Sequence, residues 1–173
     1  MHALDELSLR PANEADLELA MSFIQQAKAY HRELGLNQWT DAYPALEDIQ
    51  RDIAEKKAYF LCDKEEKVGY ICLDFDGEAA YQHIEGQWLT PPDTKYMAMH
   101  RLALDGKQRG KGYSSTVFLL AEAICREKGV KSIRADTHPE NQIMQHVFPK
   151  VGFTYCGIVR YEGSPRTAFE KIL

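Results

Sequence analysis

The residues whose types and spacing could do chemistry fall together at Arg109-Gly110-Lys111-Gly112-Tyr113-Ser114. Two cationic side chains and two glycines stand directly before a helical pattern. The first turn of a helix carries backbone N–H groups with no internal partner, and the helix dipole adds partial positive charge there. Glycines let a backbone approach a ligand closely, and a phosphate suits such donors. Arg109 could grip phosphate oxygens through two parallel hydrogen bonds. From the turn alone, an anion-binding site and a solvated Gly/Lys loop both remain open. A nucleotide P-loop does not fit, because Asp105 stands five residues before Gly110 and Gly112 follows Lys111. The dinucleotide pattern Gly-x-Gly-x-x-Gly fails at Ser115.

The elements around this turn must position it. Residues 96–104 form an apolar, strand-like run, and Asp105, Gly106, Lys107 and Gln108 break it. Beyond it, Val117, Leu120, Ala121 and Ile124 recur at i, i+3, i+4 and i+7, the apolar stripe of a packed helix. Upstream, residues 7–11 read as a strand, and Asn13 with Asp16 reads as a helix cap. Leu17, Met21 and Ile24 carry a first helix that Gly35 can stop. Pro44 suits the first position of a second helix, with Leu46, Ile49 and Ile53 inward. Residues 58–62 and 68–73 read as a hairpin around the charged turn 64–67.

Residues 80–89 are less regular. A two-residue period there puts Tyr81, His83 and Glu85 on one face. After a stop at Gly129, residues 132–136 form a strand, residues 138–141 a turn, and Met144, Val147 and Phe148 the apolar edge of a short helix ended by Pro149 and Gly152. Residues 153–160 and 167–173 read as closing strands joined by a Gly163-Ser164-Pro165 turn. Helices alternating with strands predict a mixed α/β sheet.

At 173 residues the chain is expected to be one domain, 1–173, with a real core. Its 45% apolar and 27% charged content is that of a soluble globular protein. A net charge of −5 argues against nucleic-acid binding, which needs a basic face. No apolar run approaches the ~20 residues that span a bilayer, and Asp5 and Glu6 interrupt any secretory pattern. The scattered Cys62, Cys72, Cys125 and Cys156 suggest a cytoplasmic protein without disulfides. The histidines lack metal-ligand spacing, so no metal is expected.

The motif at 109–114 resembles the cofactor signature Arg/Gln-x-x-Gly-x-Gly/Ala of the GNAT superfamily of N-acetyltransferases, with Ser114 at the last position. Asn141 and Phe148-Pro149-Lys150-Val151-Gly152-Phe153 resemble that family's later Asn and its aromatic-x-Lys-x-Gly-Phe ending. The resemblance implies a central mixed, mostly antiparallel sheet flanked by helices on both faces. It implies acetyl-CoA as cofactor and a homodimer as a plausible assembly. Leu102, Ala103 and Leu104 would offer backbone groups to the pantetheine arm. Gln108, Arg109, Gly110, Lys111, Gly112, Tyr113 and Ser114 would hold the pyrophosphate. Asn141 would lie near the pantetheine or simply cap its helix. Trp39 and Tyr43 would wall the acceptor pocket or merely cover the core, and Tyr81, His83 and Glu85 could line it or be ordinary strand residues.

The expected reaction is transfer of an acetyl group to a primary amine of a small molecule or peptide, directly in a ternary complex. A non-catalytic acyl-CoA-binding sensor or interaction module is the alternative. Many family members use a Tyr as general acid where this chain has Phe148, which cannot donate a proton. His100, which strand parity places on the face of Leu102, and His138 are the catalytic candidates. Tyr155, Tyr113, Glu85 and His83 are further options.

Overall fold

The computed structural model describes residues 6–108 and 110–173. In chain order the elements are β1 (Leu7–Pro11), α1 (Leu17–Glu33), α2 (Leu46–Ala54), β2 (Ala58–Asp63), β3 (Glu66–Asp74) and β4 (Glu85–Gly86). They continue as β5 (Met97–Leu104), α3 (Tyr113–Glu127), β6 (Ser132–Thr137), α4 (Gln142–Lys150), β7 (Thr154–Tyr161) and β8 (Ser164–Ile172). The strands follow the order β1-β2-β3-β5-β6-β8-β7-β4 in one sheet. The described registers are antiparallel except β5 against β6, which is parallel. This is the mixed, mostly antiparallel α/β sheet that the sequence predicts.

Two compact units make up the chain. The first comprises residues up to Leu73 together with His100–Leu120, and the second comprises Asp74–Met99 and Ala121–Leu173. The boundary therefore falls within β3, within β5 and within α3.

In the first unit, local chemistry starts the helices. Asn13 Oδ1 accepts from Ala15 N at 3.0 Å, and Asp16 Oδ2 accepts from Asn13 N at 3.2 Å. The expected capping box is present, but it opens a short 3₁₀ turn, Glu14–Asp16, before α1 begins. α1 buries Ala20, Phe23, Ile24 and Ala27, with Leu17 and Met21 at the edge of the stripe. It ends in a paired closure: Leu36 N donates to His31 O at 2.9 Å and Gly35 N to Arg32 O at 3.0 Å. The core around it includes Ile49 and Ile53 of α2, with Phe60 meeting Phe23 and Tyr70 edge-on at 6.2 and 6.3 Å. α2 begins at Leu46, two residues later than Pro44 suggests. Asp48 Oδ2 caps its start by accepting from Ala45 N at 2.7 Å.

In the second unit, β6 and β7 both pair with β8. The core stacks Phe148 on Phe169 at 4.7 Å and on Phe153 at 5.3 Å. Glu170, fully buried on β8, is surrounded by donors: Leu89 N at 2.6 Å, Thr90 Oγ1 and Ser132 Oγ at 2.5 Å, and Arg134 Nε at 3.1 Å. The Arg134 guanidinium lies over the rings of Trp88 and Tyr96, 4.3 and 4.2 Å from their centres.

Two readings need correction here. Residues 80–89 are not an alternating strand. Ala79–Gln82 is a 3₁₀ turn capped by Glu78, and only Glu85–Gly86 pairs, with Ile158 and Gly157. The Tyr81 ring turns inward to the core, which breaks the two-residue period. Ser164 and Pro165 are not turn residues but the first residues of β8, opposite Tyr161 and Arg160.

Candidate active site

The turn after β5 is tethered from three sides. Gln26 Oε1 on α1 accepts from Gly106 N at 2.8 Å, and Val68 O on β3 accepts from Asp105 N at 2.8 Å. The buried Tyr113 ring donates its hydroxyl to Asp63 Oδ2 at the end of β2, 3.1 Å away. Between these anchors, Gly110 and Gly112 adopt φ of +81° and +75°, a region L side chains rarely enter. A Cβ at either position would meet no atom within 4 Å, so both glycines face open space.

Among the described residues, Thr116 N is the first donor of α3 seen to find a backbone acceptor, Gly112 O at 3.4 Å. The N–H groups of Tyr113, Ser114 and Ser115 precede it and have no acceptor within the helix. Lys107 and Lys111 are exposed, and Lys111 Nζ donates to the buried Gln108 Oε1 at 2.8 Å. Arg109 lies outside the described residues. The turn therefore offers helix-start donors, an open backbone and positive charge, which suits a diphosphate.

Immediately upstream, β5 carries one residue of irregular backbone. Arg101 has φ of +55°, a left-handed residue within a strand. The alternation on which the parity of His100 and Leu102 depends is thus broken, and His100, Arg101 and Leu102 are all half-buried. Ala103 returns to the core.

The Arg101 side chain enters a mostly buried network. It holds Asp52 of α2 by two bonds, Nε to Oδ2 at 2.8 Å and Nη2 to Oδ1 at 2.6 Å. Nη2 also approaches Cys72 Sγ at 3.4 Å, and Nη1 donates to the Tyr43 hydroxyl at 2.9 Å. Tyr70 donates its hydroxyl to Asp52 Oδ2 at 2.6 Å. Burial opposes the charge on Arg101, but the hydrogen bonds to Asp52 and the electrostatic pull of Cys72, Tyr43 and Asp52 together outweigh it and raise its pKa. Burial and the neighbouring Asp52 raise the Tyr70 pKa well above its ordinary value. The pKa of Tyr43 is raised by burial, against the opposing effect of Arg101.

The first unit thus brings together Trp39, Tyr43, His100, Leu102, Ala103, Leu104 and the described part of the Gly-rich turn. Trp39 is 8% exposed and packs against the His31 ring at 5.0 Å, whereas Tyr43 is 41% exposed. The remaining candidates belong to the second unit. Tyr81 is 2% exposed and donates its hydroxyl to Asp136 Oδ2 at 2.6 Å, an oxygen it shares with Tyr161. His83 is exposed, and the exposed Glu85 pairs with Arg160 at 3.2 Å. His138 Nδ1 accepts from Glu140 N at 3.1 Å, so that nitrogen serves a turn. Asn141 Oδ1 caps α4 by accepting from Met144 N at 3.1 Å. Among the described residues no cluster of three His, Cys, Asp or Glu could hold a metal. Among the described residues no helix is long and apolar enough to cross a membrane.

Sequence reasoning passed over Arg101, Asp52 and Tyr70. One signal was available: Asp52 interrupts the buried face Ile49, Asp52, Ile53 of α2, where a carboxylate needs a partner.

The comparisons with known proteins agree with this geometry. Residues 21–153 match the model of the acetyltransferase (GNAT) family. A GNAT-family acetyltransferase from Streptococcus agalactiae is 30% identical, with a TM-score of 0.86 over 96% of this chain and 95% of that one. One from Listeria monocytogenes is 18% identical, with a TM-score of 0.78 over 96% and 95%. AAC(6')-Ib in complex with ribostamycin and coenzyme A is 21% identical, with a TM-score of 0.70 over 97% and 94%. These last two show the likeness of fold. No curated protein matches the sequence. With the family model spanning most of its length, the chain belongs to the GNAT acetyltransferase family.

Proposed function

We propose that the protein transfers an acetyl group from acetyl-CoA to a primary amine of a small molecule or peptide, directly in a ternary complex. The observation that carries the reading is the Gly-rich turn: two open, left-handed glycines leading into the donor-rich start of α3, in a chain of this family. The residues present fit the group. Backbone donors of residues 108–114 would hold the diphosphate, and Leu102, Ala103 and Leu104 would offer main-chain groups to the pantetheine. Acetyl-CoA supplies an activated acyl group as a thioester.

The chain's own contribution is to bind and orient both reactants and to manage one proton. Trp39 and Tyr43 of the first unit are proposed to border the acceptor, and Tyr81, His83 and Glu85 are kept as separate candidates within the second unit. His100 is kept as a candidate for proton removal, His138 is a weaker one because its Nδ1 serves a turn, and Asn141 has capping as a sufficient role. A cytoplasmic location, a homodimer and one acetyltransferase domain over 1–173 complete the reading. The four free, buried cysteines support a reducing compartment.

The test follows free thiol while protein and acetyl-CoA are mixed with a panel of amines. Thiol release that depends on an amine supports the enzyme. Cofactor binding without thiol release for any amine favours an acyl-CoA sensor, a second reading motivated by the buried phenyl ring of Phe148 at the usual acid position.

A further inference from the structure

Acetyl transfer from a thioester to an amine forms one C–N bond and breaks one C–S bond. The nitrogen gives up a proton and the sulfur takes one. Phe148 cannot supply that proton and is packed against Phe153 and Phe169.

The tyrosines of the first unit differ in what their hydroxyls do. Tyr70 donates to Asp52 and Tyr113 donates to Asp63, so each of these protons is directed at a carboxylate. Tyr43 is the reverse case. A guanidinium carries only donors, so Arg101 Nη1 must donate to Tyr43 Oη at 2.9 Å. The phenolic proton is left over, and among the described residues it has no acceptor. Its owner is 41% exposed, so the group can reach a ligand. Arg101 is itself held by Asp52 from α2, and it immediately precedes Leu102, Ala103 and Leu104 in β5.

We propose that the Tyr43 hydroxyl, held and polarised by Arg101, hands the proton to the departing sulfur. This rests on the acetyl-CoA reading. As the C–S bond breaks, the proton passes from Tyr43 Oη to sulfur. The tyrosinate then regains a proton from water, which receives the one lost by the amine. Arg101 stabilises the transient tyrosinate by charge. Arg101 and Asp52 are positioning residues in this scheme.

The test uses the full chain labelled with 3-fluorotyrosine, with the Tyr43 resonance identified by its loss in Tyr43→Phe. Coenzyme A and its desulfo analogue, which lacks the sulfur, are titrated separately. The expected result is that both bind, yet only coenzyme A shifts the Tyr43 signal. In turnover, Tyr43→Phe should lower kcat by roughly 10²–10⁴-fold, with the acetyl-CoA KM and the Tm near those of the parent. An equal response to both analogues, an undiminished kcat, or a change confined to the acceptor KM overturns the role of Tyr43 alone. If neither analogue binds, the acetyl-CoA reading falls as well.

Discussion

At the scale of single residues, Arg101 and Asp52 show how much one buried pair can organise. Side-chain exposures of 16% and 4% leave little water around either charge. Removing one partner strands the other, at a cost of about 3–5 kcal/mol. Asp52→Asn should therefore lower the urea midpoint sharply. Asp52→Asn combined with Arg101→Met should recover part of that loss, because an apolar replacement leaves no stranded charge. A double variant no better than the single one would place the stability elsewhere. Glu170 makes a second prediction, this time in pH. Burial works against its charge, but hydrogen bonds from Ser132, Thr90 and Arg134 prevail and hold its pKa below the ordinary 4.5. The unfolded chain then takes up the proton first as pH falls. The stabilisation is complete above pH 4.5 and is lost as pH drops through the lower folded value. Thermal melts from pH 7 to pH 3, compared with Glu170→Gln, should show the variant with a flatter acid limb.

At the scale of elements, the β5–turn–α3 junction divides its work between rigid anchors and an open backbone. Gln26, Val68 and Asp63 hold the anchors, while Gly110 and Gly112 face nothing within 4 Å. A side chain at either glycine costs only its left-handed backbone, roughly 1–2 kcal/mol. If the turn holds the diphosphate as proposed, the same Cβ would occupy space that it needs. Gly112→Ala should thus weaken coenzyme A binding by calorimetry at least as much as it lowers Tm. Unaltered affinity would move the binding surface away from this turn. Much of the junction was legible in the sequence, because turn residues and the apolar stripe of a helix are local patterns. The irregular stretch 80–89 was not, since the inward turn of Tyr81 depends on a hydrogen bond to Asp136, 55 residues away.

At the scale of the molecule, the four cysteines are all free and buried. Burial, reinforced by the Glu122 charge, pushes the Cys125 thiol up to about 12. Burial also raises the Cys62 and Cys156 thiols. The native chain should resist a thiol reagent at pH 8 and react fully only in denaturant. Fast labelling of the native protein would show that these sites open readily. Slow labelling also keeps the background of the thiol-release assay low.

By itself the sequence determined most of the elements and the Gly-rich turn between β5 and α3. Caps such as Asn13 and Asn141, helix stops at Gly35 and Gly129, and the glycines at 110 and 112 act through their immediate neighbours. Such preferences are written within a few residues of chain. Tertiary structure alone decided the left-handed backbone at Arg101 and its union with Asp52, 49 positions earlier, and with Tyr43, 58 positions earlier. Which buried charge meets which depends on how β5 packs against α2 and the loop before it. Local sequence carries no record of that meeting beyond a carboxylate on an apolar face.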